Sequence, residues 1–313
     1  MALTQEQKEA RRQGLGGSDA AAALGLHPYK SPLVLYLEKV GEIEEPDLSG
    51  NESIYWGEVL EGALADRWSQ DTGQELRRMA KTYQHAELPY LLGHVDRKLT
   101  AAKEGWEGKT ANSRLSHEWG PPGEVCAGSG AFVPEHYYIQ VQHYLAVTGW
   151  ERWHLSALIG GQDYRAYVVR PDEELLATML PLLGEFWQRV QERRPPEPRD
   201  LEDVARRWPR NVLASTVATP EALEALLQLG PVRGQLEALE ARKAALELVV
   251  KSAMGEAGQL LDTAGRSLAT WKVERRSTLD AKALAEEHPE LAKQYAREHE
   301  PRVFRPNWRA VSA

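Results

Sequence analysis

Two segments of this sequence are joined by a polar turn: Asp96-Arg97-Lys98-Leu99-Thr100 and Trp106-Glu107-Gly108-Lys109-Thr110. Lys103-Glu104-Gly105 supplies a tight turn, so the two halves predict an antiparallel hairpin. Side chains alternate between the faces of a strand, so Glu107 and Lys109 point one way and Gly108 points the other. If Asp96 lies on the neighbouring strand, its carboxylate converges with that of Glu107.

The ionisable side chains of this hairpin have the spacing D-x10-E-x-K, which suits one kind of chemistry. Two carboxylates with open water positions suit a hard divalent cation such as Mg2+. A lysine beside them can hold or polarise a water molecule, and the set is then equipped for metal-assisted hydrolysis of a phosphodiester. The alternative is a group of solvated charges on a surface hairpin, because this spacing also arises by chance in acidic chains.

The composition predicts a folded cytoplasmic protein. Of the 313 residues, 42% are hydrophobic and 27% are charged, which is ordinary for a globular protein. No apolar run reaches the roughly 18 residues of a membrane span, and the N-terminal residues lack the apolar segment of a secretory signal. The single cysteine, Cys126, excludes an intramolecular disulfide and a four-cysteine iron–sulfur or zinc site. The net charge of −8 argues against a protein that coats nucleic acid, although a nuclease needs only a local basic channel.

The order of the predicted elements indicates an α/β fold, with a mixed sheet flanked by helices. We predict helices at residues 4–13, 20–24, 32–40 and 51–71 and then strands at residues 74–84, 90–100 and 106–111. A helix at 134–149, strands at 151–159 and 164–170 and a helix at 171–194 follow. The segment 112–133 is predicted to be a loop, and its length is typical of a functional or mobile segment.

Pro195-Pro196-Glu197-Pro198 is the clearest domain boundary in the sequence. We therefore predict a first domain of residues 1–198 and a mostly helical C-terminal extension of residues 199–313, with a short β-hairpin at 258–275. Helices are expected at 220–229 and 231–255. An apolar stripe in the second is shorter than a clear coiled coil requires; it consists of Leu236, Leu239, Leu246 and Val250.

Two further segments carry candidate site residues. Gly14-Leu15-Gly16-Gly17 follows Arg11, and Ser18 or Asp19 can cap the next helix, so this turn is a candidate phosphate cradle. A plain helix-turn-helix with a serine cap is the alternative. The helix predicted at 51–71 carries Glu61, which is either a metal or water ligand or a solvated charge. We expect one apolar face of this helix to be buried; it contains Ile54, Trp56, Leu60, Leu64, Ala65 and Trp68.

Five stretches in this order carry a resemblance to a known family: Arg11-x-x-Gly14-Leu15-Gly16-Gly17-Ser18-Asp19, Trp56-Gly57-x-x-x-Glu61, Asp96, Glu107-x-Lys109 and Tyr137-x-x-Gln140-Val141-Gln142. Residues 8–195 resemble the YqaJ-type viral recombinases, relatives of phage lambda exonuclease in the PD-(D/E)XK nuclease superfamily. The resemblance implies a restriction-endonuclease-like core. Gly108 departs from the family pattern, which usually has an apolar residue there. A glycine weakens a strand, so we expect local compensation, for example from Trp106.

The resemblance also implies roles for individual residues. Asp96 and Glu107 would be metal ligands, with the carbonyl of Gly108 as a third and Glu61 completing the site directly or through water. Lys109 would position and activate the attacking water, and Gln140 would orient Lys109 or that water. The residues that would contact the phosphate next to the cut are Arg11, Gly17 and Ser18.

By the same resemblance, the activity would be a 5′-to-3′ exonuclease on double-stranded DNA ends. It would use Mg2+, or Mn2+ in its place, and leave overhangs for a single-strand annealing protein. A homotrimeric ring around DNA is also implied, and no membrane is involved. Two alternatives remain: a structure-selective or site-specific endonuclease on the same core, and a DNA-binding recombination module without catalysis.

Overall fold

The computed structural model describes residues 5–46, 48, 50–126, 130–212, 215–297 and 300–311. The chain divides into two compact units, Met1–Arg207 and Trp208–Ala313. The division lies after the helix that follows the predicted boundary at residue 198. That helix belongs to the first unit because Asp203 accepts a hydrogen bond from the Ser31 hydroxyl at 2.6 Å and Arg199 donates to the carbonyl of Gly25 at 2.6 Å.

The first unit is a six-stranded mixed sheet flanked by helices, as predicted. Its helices are α1 (Gln5–Arg12), α2 (Gly17–Ala23), α3 (Pro32–Lys39), α4 (Glu52–Thr72), α5 (Glu135–Thr148), α6 (Glu173–Gln191) and α7 (Leu201–Arg207). Its strands are β1 (Leu76–Arg78), β2 (Thr82–Gln84), β3 (Leu92–His94), β4 (Arg97–Leu99), β5 (Glu104–Ala111), β6 (Gly123–Val125), β7 (Arg152–Ile159) and β8 (Asp163–Val169). The sheet order is β1-β4-β5-β7-β8-β6, and β2 and β3 form a separate antiparallel pair. Strands β5 and β7 are parallel, as are β6 and β8.

Two of the predicted strands are each divided in two. The stretch 74–84 contains β1 and β2, and the stretch 90–100 contains β3 and β4, with the two halves in different sheets. The second break falls at Val95 and Asp96, where the side chain of Val95 packs into a buried cluster with Val141 and Leu145. The hairpin of β4 and β5 is confirmed, with Arg97 opposite Trp106. Asp96 therefore lies just before β4, in register to face Glu107, rather than on a strand.

Helix α4 covers one side of the sheet with only its second half. Leu64, Ala65 and Trp68 are buried with Leu99 and Trp106, which belong to the hairpin. The prediction that the earlier residues of this face are buried was wrong for Ile54 and Trp56, which are 39% and 51% exposed. Because only the second half packs against the strands, the helix leaves its first turns open to solvent.

The segment 112–133, predicted as a loop, contains regular structure. A 3-10 helix spans Ser113–Glu118, and β6 pairs with β8 at the edge of the sheet. Buried hydrogen bonds fix this segment: the Tyr167 hydroxyl donates to the carbonyl of Gly120 at 2.7 Å, and the Gly120 amide donates to the carbonyl of Phe132 at 2.8 Å. Residues 127–129 of this segment lie outside the described residues.

The second unit is mostly helical, as predicted. Its elements are α8 (Pro220–Met254), β9 (Gln259–Leu261), β10 (Ser267–Thr270), α9 (Ala281–Glu287), α10 (Pro289–Tyr295) and α11 (Trp308–Val311). The two helices predicted at 220–229 and 231–255 form one continuous helix that passes through Pro231. The predicted hairpin is present as the antiparallel pair of β9 and β10. In the parts of the chain that the structure describes, no helix is long and apolar enough to cross a membrane.

Candidate active site

Strand β5 places Glu107 and Lys109 on one face at the centre of the sheet. Glu107 is 4% exposed, and its Oε1 accepts a hydrogen bond from Lys109 Nζ at 2.7 Å. Burial alone would lower the pKa of Lys109, but the negative charges of Glu107 and Asp96 outweigh it and raise the pKa. Lys109 is therefore a charged donor at neutral pH.

Helix α5 contributes Gln140 to the same site. Its side-chain amide donates to Glu107 Oε1 at 3.2 Å and to the Tyr144 hydroxyl at 3.1 Å. The Tyr144 ring lies against Gly17, where a Cβ atom would be only 2.5 Å from the ring. The glycine at position 17 thus lets α2 approach α5 and links the glycine-rich turn to the buried carboxylate.

Asp96 lies at the mouth of the site, where the residue is exposed. Loss of hydration and the negative charges of Glu107 and Glu61 nevertheless raise the pKa of its carboxyl to about 7. A pKa raised by neighbouring carboxylates indicates a concentration of negative charge. A bound cation would relieve that repulsion.

One oxygen of Glu107 suggests where a metal ion would fit. Glu107 Oε2 is buried and has no hydrogen-bond partner. Buried carboxylate oxygens are almost always paired with a donor or a metal, so this atom next to Asp96 suits a divalent cation. Strand β4 pairs with β5 only at Gly105 and Trp106, so the edge of β5 from Glu107 onward is not covered by β4. Backbone carbonyls there, Gly108 among the candidates, can join the carboxylates.

The Glu61 carboxylate is paired with an arginine, which distinguishes it from the carboxylates of Asp96 and Glu107. Its Oε1 accepts from Arg97 Nε at 3.0 Å and forms an ion pair with Arg97 Nη2 at 3.0 Å. Among the described residues, no three histidine, cysteine, aspartate or glutamate side chains form a group that could hold a metal. Mg2+ commonly takes one or two carboxylates and fills its remaining positions with water, which leaves Asp96 and Glu107 as the candidate pair.

Trp106 compensates for the missing side chain at Gly108. A Cβ atom at Gly108 would lie 2.7 Å from the Trp106 ring and 3.4 Å from Leu64. The indole of Trp106 is fully buried and donates to the Ser156 hydroxyl at 3.1 Å. The ring thus fills the space that an apolar side chain at position 108 would take.

The predicted phosphate-binding residues share a cavity with the carboxylates. The cavity has a volume of about 610 Å3, and its lining includes Arg11, Gly17, Ser18, Asp96, Glu107 and Gln140. Arg11 forms an ion pair with Glu45 at 3.2 Å, and Ser18 is exposed in the first turn of α2. The helix cap differs from the prediction: Gly16 is the N-cap residue, and Asp19 accepts a hydrogen bond from its amide at 3.0 Å.

Sequence reasoning assigned no role to three residues that shape this site. The Tyr137 ring lies 4.9 Å from Lys109 Nζ, one turn before Gln140 on α5. Lys39, which carried no recognisable signal, is buried and donates to Asp19 at 2.7 Å and to the carbonyl of Arg11 at 2.6 Å. Tyr144 is spaced four residues from Gln140, and this helical spacing was the one available clue to it.

Comparison with known proteins gives a family match and a similar bacterial protein. Residues 6–151 match the model of the YqaJ-like viral recombinase domain. The chain is 29% identical over 303 residues to a protein of Bacillus subtilis (strain 168) described as "Uncharacterized protein YqaJ", covering 94% of this chain and 91% of that protein.

Two solved structures are similar at lower identity. An alkaline exonuclease from Laribacter hongkongensis is 15% identical, with a TM-score of 0.46, covering 65% of this chain and 97% of that one. A putative exonuclease from Eubacterium rectale is 14% identical, with a TM-score of 0.45, covering 70% of this chain and 97% of that one. The family match, which spans both α2 and the β4–β5 hairpin, confirms the resemblance found in the sequence: residues 6–151 of this chain are similar to the YqaJ-like viral recombinase domain.

Proposed function

We propose that the chain is a metal-dependent DNA exonuclease that degrades double-stranded DNA from its ends, 5′ to 3′, and leaves single-stranded overhangs for phage-type recombination. The observation that carries the proposal is the unequal hydrogen bonding of the two carboxylate oxygens of Glu107. Its Oε1 is held by Lys109 and Gln140, while its buried Oε2 has no partner. This arrangement, beside Asp96, suits a divalent cation. The YqaJ-like viral recombinase domain supports a nuclease of recombination.

Asp96 and Glu107 would hold the metal through their carboxylates, with the Gly108 carbonyl as a third ligand. Mg2+ is the expected ion, and Mn2+ suits the same oxygen ligands. When bound, the ion would stabilise charge on the phosphate and lower the pKa of a bound water. Glu61 would act from further away, because its contact with Arg97 fixes that arginine beside the site.

Lys109 and Gln140 would orient the reacting groups. The raised pKa of Lys109 keeps its ammonium charged, so it donates hydrogen bonds to the attacking water or to a phosphate oxygen rather than removing a proton. Gln140 holds the Glu107 carboxylate in one orientation. Arg11, Gly17 and Ser18 line the same cavity and would bind the phosphate next to the scissile bond.

The proposed partners follow from this activity. Double-stranded DNA with free ends is the substrate, and a single-strand annealing protein receives the overhang. A homotrimeric ring would place basic residues around the duplex and so reconcile the net charge of −8 with DNA binding. A cytoplasmic location completes the proposal.

The test compares linear duplex DNA, labelled at the 5′ or the 3′ end, with closed circular duplex, in Mg2+ and in chelator. The wild-type chain should degrade only the linear DNA, release the 5′ label first and stop in chelator. Glu107→Gln, which keeps the shape of the side chain, should be inactive while binding the duplex. Equal cutting of circular DNA would establish the endonuclease alternative. Binding without cleavage by the wild-type chain in either metal would establish the non-catalytic module.

A further inference from the structure

The long helix α8 carries an apolar stripe that is open to solvent. Leu236, Leu239, Leu246 and Val250 are between 40% and 61% exposed. Most such helices in folded proteins bury their apolar stripe against another element. We propose that α8 pairs with α8 of a second copy of this chain to form a parallel, two-stranded coiled coil. The proposal concerns the second unit and does not depend on the nuclease chemistry. Combined with the homotrimeric ring proposed above, it would pair the chains of two rings.

The apolar residues of α8 follow a seven-residue repeat. With Leu236 at position a, the alternating spacing of three and four residues gives these core positions after Pro231: Val232 (d), Leu236 (a), Leu239 (d), Lys243 (a), Leu246 (d), Val250 (a) and Ala253 (d). A repeat of this kind keeps one seam of the helix facing its partner. It extends over about three heptads, which is near the lower limit for a coiled coil.

The charges beside the seam are complementary between two parallel copies. In a parallel coiled coil, a residue at position g faces the residue five positions later, at e, on the partner helix. Arg242 occupies position g and Glu247 the following position e. Each pair of helices would therefore form two Arg242–Glu247 contacts, one on each side of the seam. Within its own helix Glu247 also forms an ion pair with Lys251 at 2.9 Å. The complementary pair with Arg242 across the seam argues for a second copy as the occupant.

Lys243 favours two strands over three. It lies at position a, where a single polar residue fixes register and oligomer state at some expense in stability. In its own helix Lys243 Nζ lies 3.7 Å from Glu247, and its side chain is 76% exposed. A lysine at this position can extend its ammonium to solvent from a two-stranded seam, whereas the third helix of a trimer would cover it.

The remaining contacts of α8 leave this seam open. Helix α11 lies against its N-terminal part, where Trp308 is close to Gly230 and its ring lies 5.9 Å from the Arg233 guanidinium. Both contacts precede Leu236 in the sequence. Within the described residues, the seam from Leu236 to Val250 stays exposed, so a second helix has access to it.

The first experiment measures the mass of the full-length chain by sedimentation equilibrium. Leu239→Asp should reduce the mass of the particle by half, because it places a charge in the seam. Leu248→Asp, which changes an equally exposed leucine at the outer position f, should leave the mass unchanged. Equal masses for the wild-type chain and Leu239→Asp would overturn the proposal. A threefold reduction would show three strands and would overturn it also.

Charge exchange then tests the pairing itself. Arg242→Glu and Glu247→Arg should each weaken association about tenfold at low salt, because each faces a like charge on the partner. The double variant should recover most of the affinity. Additive weakening in the double variant would contradict the parallel register.

A cysteine at the seam tests the orientation. In a Cys126→Ser background, Val250→Cys should form an intermolecular disulfide on mild oxidation, because the two copies meet at the same layer. Leu248→Cys is the matched control and should not cross-link. Failure of Val250→Cys to cross-link, in a particle with twice the mass of the Leu239→Asp variant, would indicate antiparallel helices and would refute the proposal.

Discussion

Substitution of Gly108 by a larger residue changes the stability of the sheet in opposite directions, depending on whether strand propensity or close packing dominates. Alanine or valine normally stabilises a strand relative to glycine, by about 0.5–1 kcal/mol. At position 108, however, the new Cβ atom would lie 2.7 Å from the Trp106 ring and 3.4 Å from Leu64. Ordinary carbon contacts are about 3.5–4.0 Å, so the indole would have to shift by roughly 1 Å.

Trp106 has little freedom to make that shift. It is fully buried, and its Nε1 donates to Ser156 at 3.1 Å. Adding atoms to a packed core costs about 1–3 kcal/mol. We therefore expect Gly108→Ala to destabilise the sheet by about 1 kcal/mol and Gly108→Val by about 2 kcal/mol, after the gain in strand propensity is subtracted.

Hydrogen exchange of peptides that contain β5 measures this effect on the sheet itself and avoids the second unit. Gly62→Ala is the control: it lies on α4 with no atom within 4 Å of the added Cβ, and should stabilise by about 0.5–1 kcal/mol. The double variant Trp106→Leu, Gly108→Val should lose less stability than the two single variants lose together, by at least about 1 kcal/mol. A Gly108→Val protein as stable as the wild type would refute the account of Trp106.

Three further predictions follow from the surroundings of the site. Asp19→Asn removes the charged partner that the buried Lys39 contacts at 2.7 Å. It should lower the free energy of unfolding, measured in urea, by about 3–5 kcal/mol, and the double variant with Lys39→Met should lose less. Burial alone would raise the pKa of Asp19, but Lys39 and Arg11 lower it below 3.8, so this stability should be complete above that pH and lost as the pH falls through the lowered value. Gly17→Ala brings a Cβ atom within 2.5 Å of the Tyr144 ring and should reduce DNA cleavage by about tenfold or more. The control Gly50→Ala, which has no atom near its added Cβ, should cleave DNA at the wild-type rate. Full activity of Gly17→Ala would contradict the link from Gly17 through Tyr144 and Gln140 to Glu107. Burial, His27 and Lys109 lower the pKa of His136 to about 4, so in the folded protein its ring should stay neutral in an NMR titration until the pH nears that value. The unfolded ring protonates near 6.5, so the free energy of unfolding should fall as the pH drops from 6.5 to about 4. A ring that titrates near 6.5 in the folded protein would contradict this.

Local pattern was sufficient for much of the first unit. The β4–β5 hairpin followed from the alternation around Glu107, although Glu104 and Gly105, which were predicted to form its turn, belong to β5. Helix α5 ends at Gly149, as the glycine predicted, and that residue has a left-handed conformation with φ of 63°. These features depend on residues that are close in sequence. They could therefore be predicted without knowledge of the tertiary structure.

The errors arose where distant contacts decide the outcome. Val95 packs into a core formed with α5, and this breaks a strand that its own sequence would continue. Trp56 is exposed because α4 extends past the strands it covers, which the helical period of its sequence does not reveal. The pair of Asp19 and Lys39 joins residues of two helices, and no pattern within either helix indicates it.

For the site itself, the resemblance named residues of which several line one cavity, but it did not indicate how they are arranged. Glu107, Lys109 and Gln140 lie together, and Gln140 donates to Glu107, whereas the resemblance implied a contact with Lys109 or with the water. Glu61 instead contacts Arg97, the residue immediately after Asp96. The spacing between motifs carries no information on which carboxylate a neighbouring arginine will pair with, so this detail required the structure.

The central claim is that Asp96 and Glu107 hold a divalent cation, and Mn2+ binding followed by electron paramagnetic resonance tests it most directly. The wild-type chain should remove the signal of free Mn2+ in a saturable way, and added Mg2+ should restore the signal. Asp96→Asn combined with Glu107→Gln should abolish this binding while the far-ultraviolet circular dichroism spectrum stays unchanged. Equal Mn2+ binding by the wild-type chain and by the folded double variant would contradict the claim.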